Sequence, residues 1–191
     1  MVGGAAELPS TQTPGQLPPN GIDVAMIILD QSRMRGITGA GEELTIIPSM
    51  DTSSPVDIEP LAATVPPECR FAYAETAIFG SAMIQFHKTT FQYPPKGALI
   101  SEGAAAYPDE DAARGAFNAL VAMVTDCADN SAGPMMAAEW GADADSLRIR
   151  AGRCGSDYRI TSAVLLEVTF YGFPESVSGL VITNLAAAVP G

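Results

Sequence analysis

The chain has 191 residues, enough for one domain with its own core and too few for two ordinary ones. Hydrophobic residues make up 47% and charged ones 17%, which excludes a disordered chain, and 22 acidic against 10 basic residues leave a net charge of -12 that excludes nucleic acid as a partner. The longest apolar run, residues 24–29, is far short of the ~18–20 needed to cross a bilayer as a helix.

Residues 1–21, MVGGAAELPSTQTPGQLPPNG, are rich in Pro, Gly, Thr, Gln and Ser without apolar periodicity and read as a flexible tether ahead of a folded domain over 22–191. No basic stretch followed by an apolar segment opens the chain. The protein is therefore either not exported or exported by a segment this sequence lacks, and composition favours export.

An apolar run over 22–29 precedes Asp30, which suits the N-cap of a short helix ended by Gly36 or Gly39. Residues 44–48 read as a short strand and 50–65, with Pro55 and Pro60, as a surface loop that is either a lid or a connector. Pro66, Pro67 and Glu68 start a helix that should run to Phe79 and stop at Gly80.

Residues 83–93 form a strand, with His87, Thr89 and Phe91 on one face and Phe86, Lys88 and Thr90 on the other. The turn Pro94-Pro95-Lys96-Gly97 returns the chain into an antiparallel neighbour over 98–107. Asp109, Glu110 and Asp111 place three acids at the start of a helix whose Ala113, Phe117, Leu120, Val121 and Val124 repeat at helical spacing to Cys127.

Residues 146–152 and 158–171 read as two strands around a turn at 154–157, with Trp140 in a loop before them. A last helix opens at Pro174-Glu175 with Val177, Leu180, Val181, Leu185 and Ala188 on its apolar face. The order gives an α+β fold: one domain with an antiparallel sheet covered by helices.

The three cysteines, Cys69, Cys127 and Cys154, match no metal spacing, and one disulfide plus one free thiol is the simplest arithmetic, with three reduced thiols in a cytosolic protein as the alternative. His87 is the only histidine, and no nucleophile, zinc, phosphate-loop or kinase signature is present, so no catalytic residue is assigned and a Cys154–His87 dyad has no support from sequence. Glu42-Glu43 and Asp109-Glu110-Asp111 lack the spacing of an oxygen-ligand loop, so neither a metal nor another cofactor is expected. Four of the ten basic residues, Arg148, Arg150, Arg153 and Arg159, cluster within twelve positions. Arg148 and Arg150 share one face of a strand and, with Arg159, suit a carboxylate or phosphate, the competing reading being salt bridges to Asp143, Asp145 and Asp157. Trp140 is either a stacking platform for a sugar or a core anchor.

The run Pro67-Glu68-Cys69, then Ala105-Ala106-Tyr107-Pro108 with its Ala-rich helix ending at Asp126-Cys127, then Arg153-Cys154 and Val164-Leu165-Leu166-Glu167-Val168, resembles the PknH-like extracellular domain. That family forms the outer sensor region of a mycobacterial Ser/Thr kinase and occurs in free-standing lipoproteins of mycobacteria. The resemblance covers roughly residues 22–191 and implies a twisted antiparallel sheet flanked by helices, with a large cleft. It implies a non-catalytic, extracytoplasmic domain of the cell envelope, secreted or held by an N-terminal lipid anchor this sequence lacks, that binds an unidentified small-molecule, lipid or glycan ligand; Arg148 and Arg150 point to an anionic lipid, glycan or phosphosugar. A small cell-envelope enzyme and a factor docking on another envelope protein are the competing readings. Family members carry two disulfides. Carried over, Cys69 pairs with Cys127, and Cys154 is left unpaired because no cysteine stands near Phe170 or Tyr171. A bond closing those 58 positions removes about 4 kcal/mol of unfolded-state entropy.

Overall fold

The structure is a computed structural model and describes residues 21–191, so the tether expected over 1–21 lies, Gly21 apart, outside the described residues. A 3-10 turn at Val24–Met26 leads into α1 (Gln31–Thr38). Asp30 caps α1 by accepting the Arg33 amide at 2.8 Å, and Gly39 ends it at φ 65°. The strand expected at 44–48 is a two-residue β1 (Thr45–Ile46), and the following loop holds one helical turn, α2 (Glu59–Ala62).

The single helix expected over 66–79 is two pieces, a 3-10 helix at Pro67–Ala72 and then α3 (Glu75–Phe79). The break falls where the Tyr73 carbonyl accepts the Ile58 amide at 2.8 Å and Ala74 pairs as a bridge with Asp57. Backbone groups spent on a neighbouring segment are not open to a continuous helix.

β2 (Gln85–Tyr93) and β3 (Ala98–Ala106) form the expected hairpin through a turn whose Gly97 sits at φ 56°. α4 (Glu110–Ala128) follows, capped by Asp109, and then α5 (Gly133–Met136). Trp140 stands in an edge strand, β4 (Glu139–Ala142), not in a loop.

The expected turn at 154–157 is the start of a strand instead. β5 (Ser146–Ala151) turns at Gly152, φ 63°, into β6 (Cys154–Thr161), which turns at Ser162-Ala163 into β7 (Val164–Tyr171). Ser162 takes φ 49° without being glycine, so the second turn carries none of the residues that mark a two-residue hairpin. α6 (Glu175–Ala188) closes the fold; it turns Val177, Val181, Ile182 and Leu185 inward, while Leu180 is exposed, contrary to its expected place on the apolar face.

All seven strands form one antiparallel sheet in the order β1-β2-β3-β7-β6-β5-β4. Against one face pack α6, α1 and the segment before it, around Met34, Leu44, Phe91, Ile100, Leu166, Val181 and Leu185. Against the other face, α4 and the 67–79 segment enclose Phe71, Phe79, Phe86, Tyr107, Phe117, Leu120 and Leu165. Phe79 and Phe86 meet edge to face at 5.1 Å, and the Tyr107 hydroxyl donates to the Phe79 carbonyl at 2.7 Å. The Cys69–Cys127 disulfide is formed, with a Cα–Cα distance of 4.9 Å, and joins the 3-10 helix to the end of α4.

α4 covers only one end of its face. There the sheet offers Phe86, Ala105, Leu147, Ile160 and Leu165, an apolar bed for an amphipathic helix. At the other end the same face offers Lys88, Thr90, Ser101, Ser156, Glu167 and Thr169. A helix laid there would bury polar groups without recovering apolar contact, and that end is left open.

Candidate functional site

The open end is a cavity of about 560 Å³, within the size range of small-molecule sites. Its floor is the central sheet. One wall is the 71–78 segment, with Phe71, Tyr73 and Ile78; another is Met135, Met136 and Ile149; a strap over 49–58 runs along the side and contributes Met50, Val56 and Ile58.

The strap is stitched along its length, its end at Asp57 and Ile58 by the bonds to Tyr73, Ala74 and Thr76. Thr52 exchanges both backbone hydrogen bonds with Lys88, each 2.9 Å, and Val56 donates its amide to Glu75 Oε2 at 2.7 Å. Outside the cavity, Asp51 Oδ1 sits 2.8 Å from His87 Nε2 and accepts the Thr89 hydroxyl at 3.1 Å.

On the floor, Lys88 Nζ lies 2.7 Å from both Glu75 Oε1 and Glu167 Oε2. Burial works to lower the Lys88 pKa, but the charges of Glu167 and Glu75 and their hydrogen bonds outweigh it and raise it above 10.5. Tyr158 lies beside them, buried, with its hydroxyl engaged by Ser156 and Glu167; burial, reinforced by the Glu167 charge, holds its pKa well above 10.0. Thr90 and Ser101 share a buried hydroxyl hydrogen bond of 2.8 Å next to this group.

The ionisable cluster joins residues up to 92 positions apart, Glu75 to Glu167, and sequence reasoning missed it. The available signal was Lys88 and Glu167, each mid-strand among buried neighbours, where an unpaired charge would not be tolerated.

None of the arginines singled out from sequence lines this cavity, although Arg153 comes to its rim and stacks at 5.0 Å on the Tyr171 ring. Arg148 and Arg150 lie on the opposite face of β5, where Arg150 donates to Asp157 at 2.8 Å, lies 3.3 Å from Glu175 and stacks at 5.1 Å on the Phe170 ring. Gly155 makes that stack possible, because a Cβ there would run into the ring. Arg148 is exposed beside it. Arg159 instead lines a smaller polar pocket of about 430 Å³ with Glu110, Asp111, Arg114 and Asp145.

Trp140 opposes Ile149 at the sheet edge, half-exposed and outside the cavity lining. Cys154 is an exposed free thiol at the cavity rim, directly opposite Tyr171. Three strand-to-strand steps and the thickness of the sheet separate it from His87, so the two form no dyad. Among the described residues no cluster of His, Cys, Asp and Glu suits a metal ion.

A family model described as the PknH-like extracellular domain matches residues 19–189. The chain belongs to this family. The match spans nearly the whole chain, so the PknH-like family accounts for the single α+β domain and its extracytoplasmic, sensor-type character. The fold agrees with the crystal structure of the extracellular domain of PknH from Mycobacterium tuberculosis, at TM-score 0.64 and 13% identity, covering 85% of this chain and 92% of that one. No curated protein matches the chain.

Proposed function

We propose that this PknH-like domain is a non-catalytic sensor that binds a small ligand in the cavity under the 49–58 strap, outside the cytoplasmic membrane and tethered through residues 1–21 to a lipid anchor. One observation carries the reading: an open cavity of about 560 Å³ with apolar walls and a few converging polar groups on its floor. The chemistry on that floor favours holding over reacting. Lys88 is saturated by two carboxylates and raised in pKa, the reverse of a lysine prepared as base or nucleophile. His87 points its Nε2 at Asp51 on the far side of the sheet from the cavity.

Thermal-shift screening against envelope lipids, glycans and phosphosugars tests the proposal, because a ligand of the folded state raises the melting temperature by mass action. A true cavity ligand loses its shift in Thr169→Trp, which fills the floor. A shift that survives that substitution refutes binding in the cavity.

A further inference from the structure

We infer that the ligand is an amphiphile without net negative charge, with a hydroxyl- or amine-bearing head on the cavity floor and an apolar chain across its mouth; this rests on the binding reading above. Two independent observations carry it. The first is where the molecule leaves apolar surface in water. Among the described residues ten large hydrophobic side chains are exposed, and six of them, Met50, Val56, Ile58, Leu99, Met135 and Tyr171, line this one cavity. Exposed apolar side chains scattered singly need no explanation, but a ring of them around a single opening marks a surface that is covered in use. Met50 and Met135 are unbranched and polarisable, and adapt to a chain of no fixed shape.

The second observation is the charge inside. The charged side chains lining the cavity are Glu75, Lys88 and Glu167, one cation against two carboxylates, and the cation already touches both. No arginine lines it, and Arg153 at the rim is stacked on the Tyr171 ring at 5.0 Å, away from the floor. An incoming carboxylate or phosphate would meet a lysine already occupied and two like charges beside it, in a chain of net charge -12. A hydroxyl or ammonium group meets acceptors instead: the carboxylate oxygens and the hydroxyls of Ser156 and Thr169. A free sugar would satisfy the floor but leave the mouth uncovered; a fatty acid would cover the mouth but clash with the floor.

Monolaurin, dodecylamine and laurate share one chain and differ in head charge, and trehalose and inorganic phosphate supply the head chemistry without a chain. Each is titrated into the delipidated protein below its micelle concentration, with affinity read by thermal shift and stoichiometry by native mass spectrometry. The expected result is one-to-one binding of monolaurin or dodecylamine, at least tenfold tighter than laurate, and none of trehalose or phosphate. Thr169→Trp should abolish it, and the exposed pair Met50→Ser with Met135→Ser should weaken it severalfold while leaving the melting temperature of the unliganded protein unchanged. Laurate or phosphate binding as tightly as monolaurin overturns the inference, as does binding unaffected by the rim substitutions, or no binding of any amphiphile. In the last case a trehalose or phosphate shift that Thr169→Trp removes would leave the binding reading standing and this inference alone refuted.

Discussion

The two faces of the sheet are built from the same strands and end up doing opposite things. On the α6 side the inward positions of β2, β3 and β7 include Phe91, Ile100, Ala104, Leu166 and Val168, and two helices lie down over them until Met34, Val181 and Leu185 are fully enclosed. On the α4 side the alternate positions begin apolar, at Phe86, Ala105 and Leu165, and turn polar half-way along, at Lys88, Ser101 and Glu167. One face is filled to the end and the other stops at a cavity. A strand's alternation therefore decides whether it is buried, and the run of residue types along a single face decides where a helix will cover it.

Removing the disulfide gives the largest expected break in this contrast, because it ties down the covered half of the cavity face. Cys69→Ala with Cys127→Ala should cost about 4 kcal/mol, from the 58-residue loop it closes, seen as a large drop in the denaturation midpoint with the α6 side surviving longest in hydrogen exchange. Next comes a pair of adjacent substitutions. Val168→Trp overfills the packed face and should cost about 1–3 kcal/mol or more, whereas Thr169→Trp, one residue on, projects into open space and should cost less than about 1 kcal/mol while abolishing ligand binding. Equal losses from the two would mean that the cavity closes in solution.

Glu102 sharpens the comparison from the packed side. It is fully buried in β3, and neither carboxyl oxygen has a hydrogen bond of good geometry. Burial raises its pKa well above 4.5; the nearby Leu29 backbone opposes the shift and the Asp30 charge adds to it. The folded state holds this proton more tightly than the unfolded chain, so Glu102 costs stability progressively as pH rises above about 4.5 toward its folded value. Glu102→Gln should accordingly stabilise the protein at neutral pH, with the gain shrinking to nothing as pH falls below 4.5, in melts run across that range. The smallest effect belongs to Arg148→Ala. It removes an exposed side chain on the far side of the sheet, and should change stability by no more than about 0.5 kcal/mol and leave cavity binding unaltered.

Much of the scaffold was legible in the sequence where a local signal agrees with the tertiary outcome. α4 announces itself by the three acids at Asp109, Glu110 and Asp111 and an apolar repeat ending at Cys127, and the β2–β3 hairpin by the prolines and glycine of its turn. The β6–β7 hairpin was missed because Ser162 adopts its positive φ under the constraint of pairing on both sides, which leaves no local mark. The helix break at Tyr73 depends on Ile58 and Asp57, fifteen or more positions away, and was equally invisible. The cavity is the extreme case: Glu75, Lys88 and Glu167 are ordinary residues on three elements, and only the sheet order brings them together. The arginine cluster is the opposite case: Arg148 and Arg150, close in sequence, lie on the face away from the cavity, where Arg150 pairs with Asp157, and Arg153 reaches only the rim beside Tyr171.

The Cys69–Cys127 bond makes the chain between those residues a covalent ring, and the ring contains β2, β3 and most of α4. The exposed turn at 94–97 lies inside it. A protease that clips this turn therefore opens the ring without releasing a fragment, and the nicked protein still runs as one piece until it is reduced. Among the described residues, the tip of the β2–β3 hairpin is the one exposed turn in the sheet that can be cut with both halves of the domain still chained together.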